Sequence, residues 1–217
     1  MIQKPRPRKQ RFMFKEYSEN TIRFDITNQS DTKLLGTEFG KLILQSFIDE
    51  CPVKGVYTFG RIGMGKTVFS TAIINSFNNI EDLLIDVKHK VRYRFYDTYP
   101  KCHHLDYYDF LRPDFEYKNK IDLKPDEIII AEWSEYIPKR PIDWFEPDKI
   151  EIELYHCFDK KSICTERKSD ILNFNTITSE GSMRFASMIG YGNGIKIIQK
   201  LKEINSIQHL IVNPSEL

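Results

Sequence analysis

No apolar run in these 217 residues approaches the roughly 20 needed to cross a bilayer core, so a membrane span is not expected. The first residues are too charged for the apolar centre of a signal peptide, and a cytoplasmic location is expected. Cysteine is scarce. Cys51, Cys102, Cys157 and Cys164 form no C-x-x-C pair, which argues against a disulfide framework or a ribbon-type zinc site. Cys102-His103-His104 and His156-Cys157 offer metal-binding residue types, but neighbours on a strand point to opposite faces, so reduced thiols are expected. Net charge is also lacking. The balance is +1 with 29% charged residues, an ordinary globular surface rather than that of an overall nucleic-acid binder.

The exception is local. Lys4, Arg6, Arg8, Lys9, Arg11 and Lys15 all precede the first acid, Glu16, and Pro5 and Pro7 keep this stretch from being a helix. Residues 1–18 are expected to form a basic, disordered arm, and its functional reading is contact with RNA phosphates, such as those of tRNA.

What is present is a loop that carries chemistry. Gly60-Arg61-Ile62-Gly63-Met64-Gly65-Lys66-Thr67 has the spacing G-x-x-x-x-G-K-T. Glycines at these positions let successive N–H groups turn inward around an anion without Cβ clashes. Lys66 can reach the outer phosphates of a nucleotide, and the Thr67 hydroxyl can sit on Mg²⁺. The β-like run Gly55–Phe59 precedes the loop, and Val68–Ile74 follows as a helix whose N-terminal partial charge would face the phosphates. Such a loop needs an acid for the metal and usually another to orient the attacking water. Asp106 and Glu132 both stand where strands are expected to end, and in an α/β sheet that edge faces the ligand crevice.

The rest of the chain alternates between strand and helix patterns. Thr21–Thr27 alternates as a half-buried strand, and Leu34, Leu35, Phe39, Leu42, Ile43 and Phe47 recur at helical spacing to about Ile48. The helix after the loop is expected to run to about Phe77. Val91–Tyr99 and His103–Tyr108 are strand-like, and Leu111–Glu127 reads as a loop or lid. Ile128–Ala131 is a continuous apolar run typical of a strand buried on both faces. Ile150–Leu154 and Asp170–Ile177 alternate, which suggests an antiparallel hairpin late in the sheet. Gly190, Gly192 and Gly194 lack a following Lys-Ser/Thr and read as a turn, followed by an amphipathic helix over Ile195–Ile204.

Four segments in order resemble one family. They are the loop itself, the T-x-x-L-G-type stretch Asp31–Gly36, His104-x-Asp106-x-Tyr108, and Ile129-Ile130-Ala131-Glu132-Trp133-Ser134-Glu135. Together, from roughly Asp25 to Ser169, they look like the TsaE (YjeE-type) ATPases needed for threonylcarbamoyladenosine in tRNA. The resemblance implies an α/β P-loop three-layer sandwich with a mixed, partly antiparallel sheet. It implies slow hydrolysis of ATP with Mg²⁺ by a protein bound to the TsaB–TsaD pair. Residue by residue, it implies that Gly60 to Thr67 and Val68 hold phosphate, with Lys66 also catalytic. Thr67, Asp106 and Glu132 would serve the metal, with Glu132 catalytic or switch-like. Thr32 would lie near the nucleotide, and Trp133 would be a packing or nucleotide-proximal aromatic.

This chain departs from the family pattern in several places. No Ser-Pro-Thr stands near Lys88–Tyr93, Arg61 replaces the usual acid after the first loop glycine, and Ser134 replaces a proline. These changes make it a divergent member and keep two alternatives open. One is a degenerate, nucleotide-dependent interaction module. The other is a P-loop small-molecule kinase, although no Arg-rich lid is evident. The expected organisation is an arm at 1–18, a P-loop domain at 19–178 and a helical extension at 179–217.

Overall fold

The computed structural model describes residues 19–77, 93–107, 121–132, 134, 146–157 and 183–212. The basic arm, residues 88–92, the expected lid over 111–120, Trp133 and the alternating stretch Asp170–Ile177 lie outside these residues. The chain runs β1 (Thr21–Asp25), α1 (Gln29–Ile48), β2 (Gly55–Phe59), α2 (Lys66–Ser76), β3 (Tyr93–Tyr96) and β4 (Lys101–Asp106). It continues with β5 (Glu127–Glu132), β6 (Lys149–Cys157), β7 (Met183–Tyr191) and α3 (Gly194–Leu201), then a 3₁₀ helix at Asn205–Leu210.

The strands form one mixed sheet in the order β1-β7-β6-β2-β5-β4-β3. β2 lies between β5 and β6, both parallel to it, and β4 runs parallel to β5. The carboxyl ends of these four strands therefore share one edge. β3 and β7 pair antiparallel with β4 and β6, and β1 pairs antiparallel with β7. This is the α/β architecture with late antiparallel strands that the sequence suggests.

Two details differ from expectation. The antiparallel partner of Ile150–Leu154 is β7, from Ile150↔Gly190 to Leu154↔Ala186, whereas Asp170–Ile177, the expected second arm of the hairpin, lies outside the described residues. Alternation says that a strand exists, but it does not say which strand it joins. The final segment is likewise more than a helical extension, because 183–191 supplies the strand between β1 and β6.

Alternating apolar residues sort the sheet into two faces. Ile22, Phe24, Val56, Ile128, Ile130, Ile150, Ile152, Ala186 and Met188 share one core with Phe39 and Ile43 of α1, Phe69 and Ile73 of α2 and Ile197 and Leu201 of α3. All three α-helices therefore cover the same face, so the described residues supply two of the three expected layers. The opposite face carries a smaller cluster around Tyr57, Leu105, Tyr107 and Ile129. α1 and α2 pack closely because α1 carries Gly36 and Gly40 one turn apart. A Cβ on Gly36 would lie 2.8 Å from Ala72 Cβ, and one on Gly40 would lie 2.8 Å from the Ile73 carbonyl. Two missing side chains thus let the first helix press on the second, and Phe39 stacks on Phe69 at 5.8 Å beside them.

Candidate nucleotide-binding site

β2 delivers the loop to the shared carboxyl edge. Gly60 leaves the strand with φ 129°, and a Cβ there would meet the Leu154 carbonyl of β6 at 2.2 Å, so only glycine fits. Arg61, Ile62 and Gly63 form an exposed tip, whereas Met64 turns back into the core. Gly65, with φ 95°, starts α2 in the left-handed region. No side chain caps α2 and its first turn holds no acid of its own, so the N–H groups of Lys66, Thr67 and Val68 begin the helix without a capping side chain. Thr32, fully inside at the start of α1, packs on the same loop. A Cβ on Gly65 would sit 3.6 Å from Thr32 Cγ2.

Lys66 is only 4% exposed. Its ammonium donates to the Gly60 carbonyl and to the Arg61 carbonyl, the latter at 2.7 Å. The lysine therefore folds back along its own loop, where carbonyl oxygens partly compensate a buried charge. Next along the helix, the Thr67 hydroxyl donates to Glu132 Oε2 at 2.7 Å. Glu132 ends β5 and is 1% exposed, and its Oε1 lies 2.8 Å from His104 Nε2. Asp106 ends β4 and sits in register with Glu132, which places both carboxylate-bearing residues at the top of adjacent strands.

The electrostatics of Glu132 follow from these contacts. Burial alone would push its carboxyl up. The His104 hydrogen bond and field, the Thr67 hydroxyl and the charge of Lys66 together outweigh that, and the group stays below its ordinary value. It is an ionised acceptor in a dry place, the form needed to hold a cation or to take a proton from water.

The oxygen set fits Mg²⁺. A threonine hydroxyl and one or two carboxylates are the share a protein usually supplies, with phosphate oxygens and waters completing the sphere. Among the described residues no three His, Cys, Asp or Glu side chains are grouped so that they could hold a metal ion by themselves. The neighbouring histidine pair splits across the sheet: His103 Nε2 lies 3.2 Å from Glu127 Oε2 on one face, while His104 reaches Glu132 on the other. Cys102 is buried and its thiol is pushed far up by desolvation, so it is inert.

Of the residues singled out from sequence, Lys66, Thr67 and Glu132 meet directly or through the loop, and Asp106 and Thr32 flank them. Val68 continues the helix one residue further on. Trp133 lies outside the described residues. The contact that sequence reasoning passed over is His104, although it stands inside the H-x-D-x-Y segment. Its position two residues before Asp106 on a strand was the available signal, since alternation puts both on one face.

A glycine-rich loop between a central parallel strand and an uncapped helix, with carboxylates closing the neighbouring strands, defines the P-loop nucleoside-triphosphatase fold. Within that class, the family model described as "Threonylcarbamoyl adenosine biosynthesis protein TsaE" matches residues 26–163. This is more than half the chain, and the chain belongs to that family, which acts in threonylcarbamoyladenosine modification of tRNA. Comparison with curated proteins gave no match. No helix among the described residues is long and apolar enough to cross a membrane.

Proposed function

We propose that this protein binds Mg-ATP in the 60–67 loop and hydrolyses it slowly, in the cytoplasm, to serve the TsaB–TsaD pair that places the threonylcarbamoyl group on tRNA adenosine. The observation that carries this reading is the Thr67–Glu132 hydrogen bond of 2.7 Å, which joins the phosphate loop to a buried carboxylate at a strand end.

On nucleotide binding, Lys66 exchanges the Gly60 and Arg61 carbonyls for the outer phosphate oxygens. A charge already held in the site needs no further desolvation to do so. The loop N–H groups and the start of α2 hold the remaining phosphate charge. Thr67 and Asp106 are the residues that would hold Mg²⁺, which when bound neutralises charge building on the phosphates. Glu132 orients the attacking water and accepts its hydrogen bond. The water oxygen bonds to the γ-phosphorus, the bond to the β–γ bridging oxygen breaks, and ADP leaves as the water proton is released. Arg61, at the exposed loop tip, is the cation nearest in sequence that could assist the departing charge. Without a fixed arginine such chemistry is slow.

The basic arm adds sequence-independent affinity for tRNA or a tRNA-bearing complex. Affinity capture with and without ATP tests the partner assignment. Recovery of TsaB and TsaD homologues in a nucleotide-dependent manner is expected, together with a turnover rate that rises when they are added. Capture of neither, with no change in rate, overturns it.

A further inference from the structure

Two consecutive histidines on β4 each grip a carboxylate of β5, but on opposite faces and at opposite ends. His103 meets Glu127 at the start of β5, with the Tyr93 hydroxyl 2.9 Å from its other ring nitrogen. His104 meets Glu132 at the end of β5, beside the phosphate loop. The register explains the second contact. β4 and β5 are parallel with His104 opposite Ile130 and Asp106 opposite Glu132, so His104 lies two residues down the ladder from Glu132 and on the same face. Its ring is 6% exposed and packs against Tyr96 at 6.3 Å between centroids.

We infer that His104 is a positioning residue for Glu132, an assignment that rests on the ATPase reading above. An ionised carboxylate only accepts, so His104 Nε2 carries the proton and donates it to Oε1. Thr67 donates to Oε2 from another element. The plane of the Glu132 carboxylate is thus pinned from β4 on one side and from α2 on the other, while its backbone is held by β5. Remove the imidazole and a single hydrogen bond remains, about which the carboxylate can turn. A carboxylate that must face water or a metal-bound oxygen loses most when its orientation is lost, because the reacting geometry is no longer held in advance. The outer partner matters for rate, and the substrate never touches it.

The experiment compares full-length wild type with His104→Leu and His104→Gln, and uses His103→Leu as a control on the other face. Glutamine places an N–H donor close to the imidazole Nε2 position, and leucine fills the space without donating. With the TsaB–TsaD partners present, H104L should lower kcat by about tenfold or more with KM for ATP changed about twofold at most, and H104Q should recover most of that loss. H103L should leave kcat unchanged. An H104L rate equal to wild type overturns the assignment, as does an H104Q variant that folds and binds Mg-ADP but is as slow as H104L. A second measurement uses no nucleotide. In ¹⁵N-labelled, metal-free protein near neutral pH, the His104 ring should carry a proton on Nε2, and the signal should shift in Glu132→Ala. A ring protonated on Nδ1 alone has no proton to give Glu132 and also overturns it. Wild type that fails to turn over ATP with its partners would sink the ATPase reading alone, since the ring measurement still decides the contact.

Discussion

Replacing Thr67 with valine keeps the shape of the side chain and deletes one hydroxyl. That hydroxyl donates to Glu132 Oε2 at 2.7 Å, and Glu132 is 1% exposed, so the valine methyl leaves a buried carboxylate one hydrogen bond short. A hydrogen bond to a charged group is worth about 1.5–3 kcal/mol. The His104 bond to the other oxygen survives, which favours the lower part of that range, and helix propensity barely distinguishes the two residues. A loss of about 2 kcal/mol is expected, or roughly 4–8 °C in Tm for a domain of this size. Urea denaturation with an unchanged slope would report it cleanly. The decisive arm is a double-mutant cycle with Glu132→Ala. If the contact carries the effect, T67V should cost about 1.5 kcal/mol less in the E132A background than in wild type. A coupling within about 0.5 kcal/mol of zero would refute the argument, because it would show the two side chains to be energetically independent.

Three further outcomes are expected. Lys66→Ala should weaken binding of ATP by at least about tenfold, or about 1.4 kcal/mol, and equal affinities by calorimetry would remove Lys66 from the site. Because the Glu132 carboxyl is held below its ordinary value, its contribution to stability is complete above about pH 4.3, the unfolded carboxyl's range, and fades as pH falls through the folded value. The acid limb of a stability–pH curve should therefore be shallower in Glu132→Gln, by up to about one bound proton, and superimposable limbs would contradict the geometry. Deleting residues 1–15 should lower RNA affinity at low salt and flatten the slope of log K against log salt by about two or three units. An unchanged slope would leave the arm a solvated tail.

The site was legible in the sequence to the extent that its chemistry is local. Lys66 and Thr67 announce themselves because a phosphate loop needs them beside glycines, and Glu132 because an apolar run ends on an acid. Thr32 came from the family resemblance, and the structure sets it against Gly65. The two errors concern long-range pairing. All four positions from Phe185 to Met188 are buried, so both faces of β7 are covered there and no polar–apolar alternation marks it as a strand. Asp170–Ile177 does alternate, and alternation is all that makes it look like a hairpin arm; it lies outside the described residues. His104 was missed differently. In the sequence it is one letter of a motif, and its meaning appears only when register sets it opposite Ile130, two residues below Glu132 on the neighbouring strand.

The place of β7 also governs the order in which the chain can assemble. β1 is the first strand, and among the described residues its strand neighbour is β7, with Ile22 beside Met188 and Phe24 beside Ala186. The phosphate loop and both carboxylates have left the ribosome long before β7 does. The strands that carry them can pair early, but β1 must wait for a late partner. Closing a loop of that length costs entropy before any contact repays it, so the sheet is completed slowly and only after β7 has been made. The segment that matches the family, residues 26–163, is therefore shorter than the unit that folds. A nascent chain stopped near residue 163 would carry every ligand-facing residue named above and still leave Ile22 and Phe24 of the first strand without their partner, as exposed, adhesive surface of the kind chaperones bind.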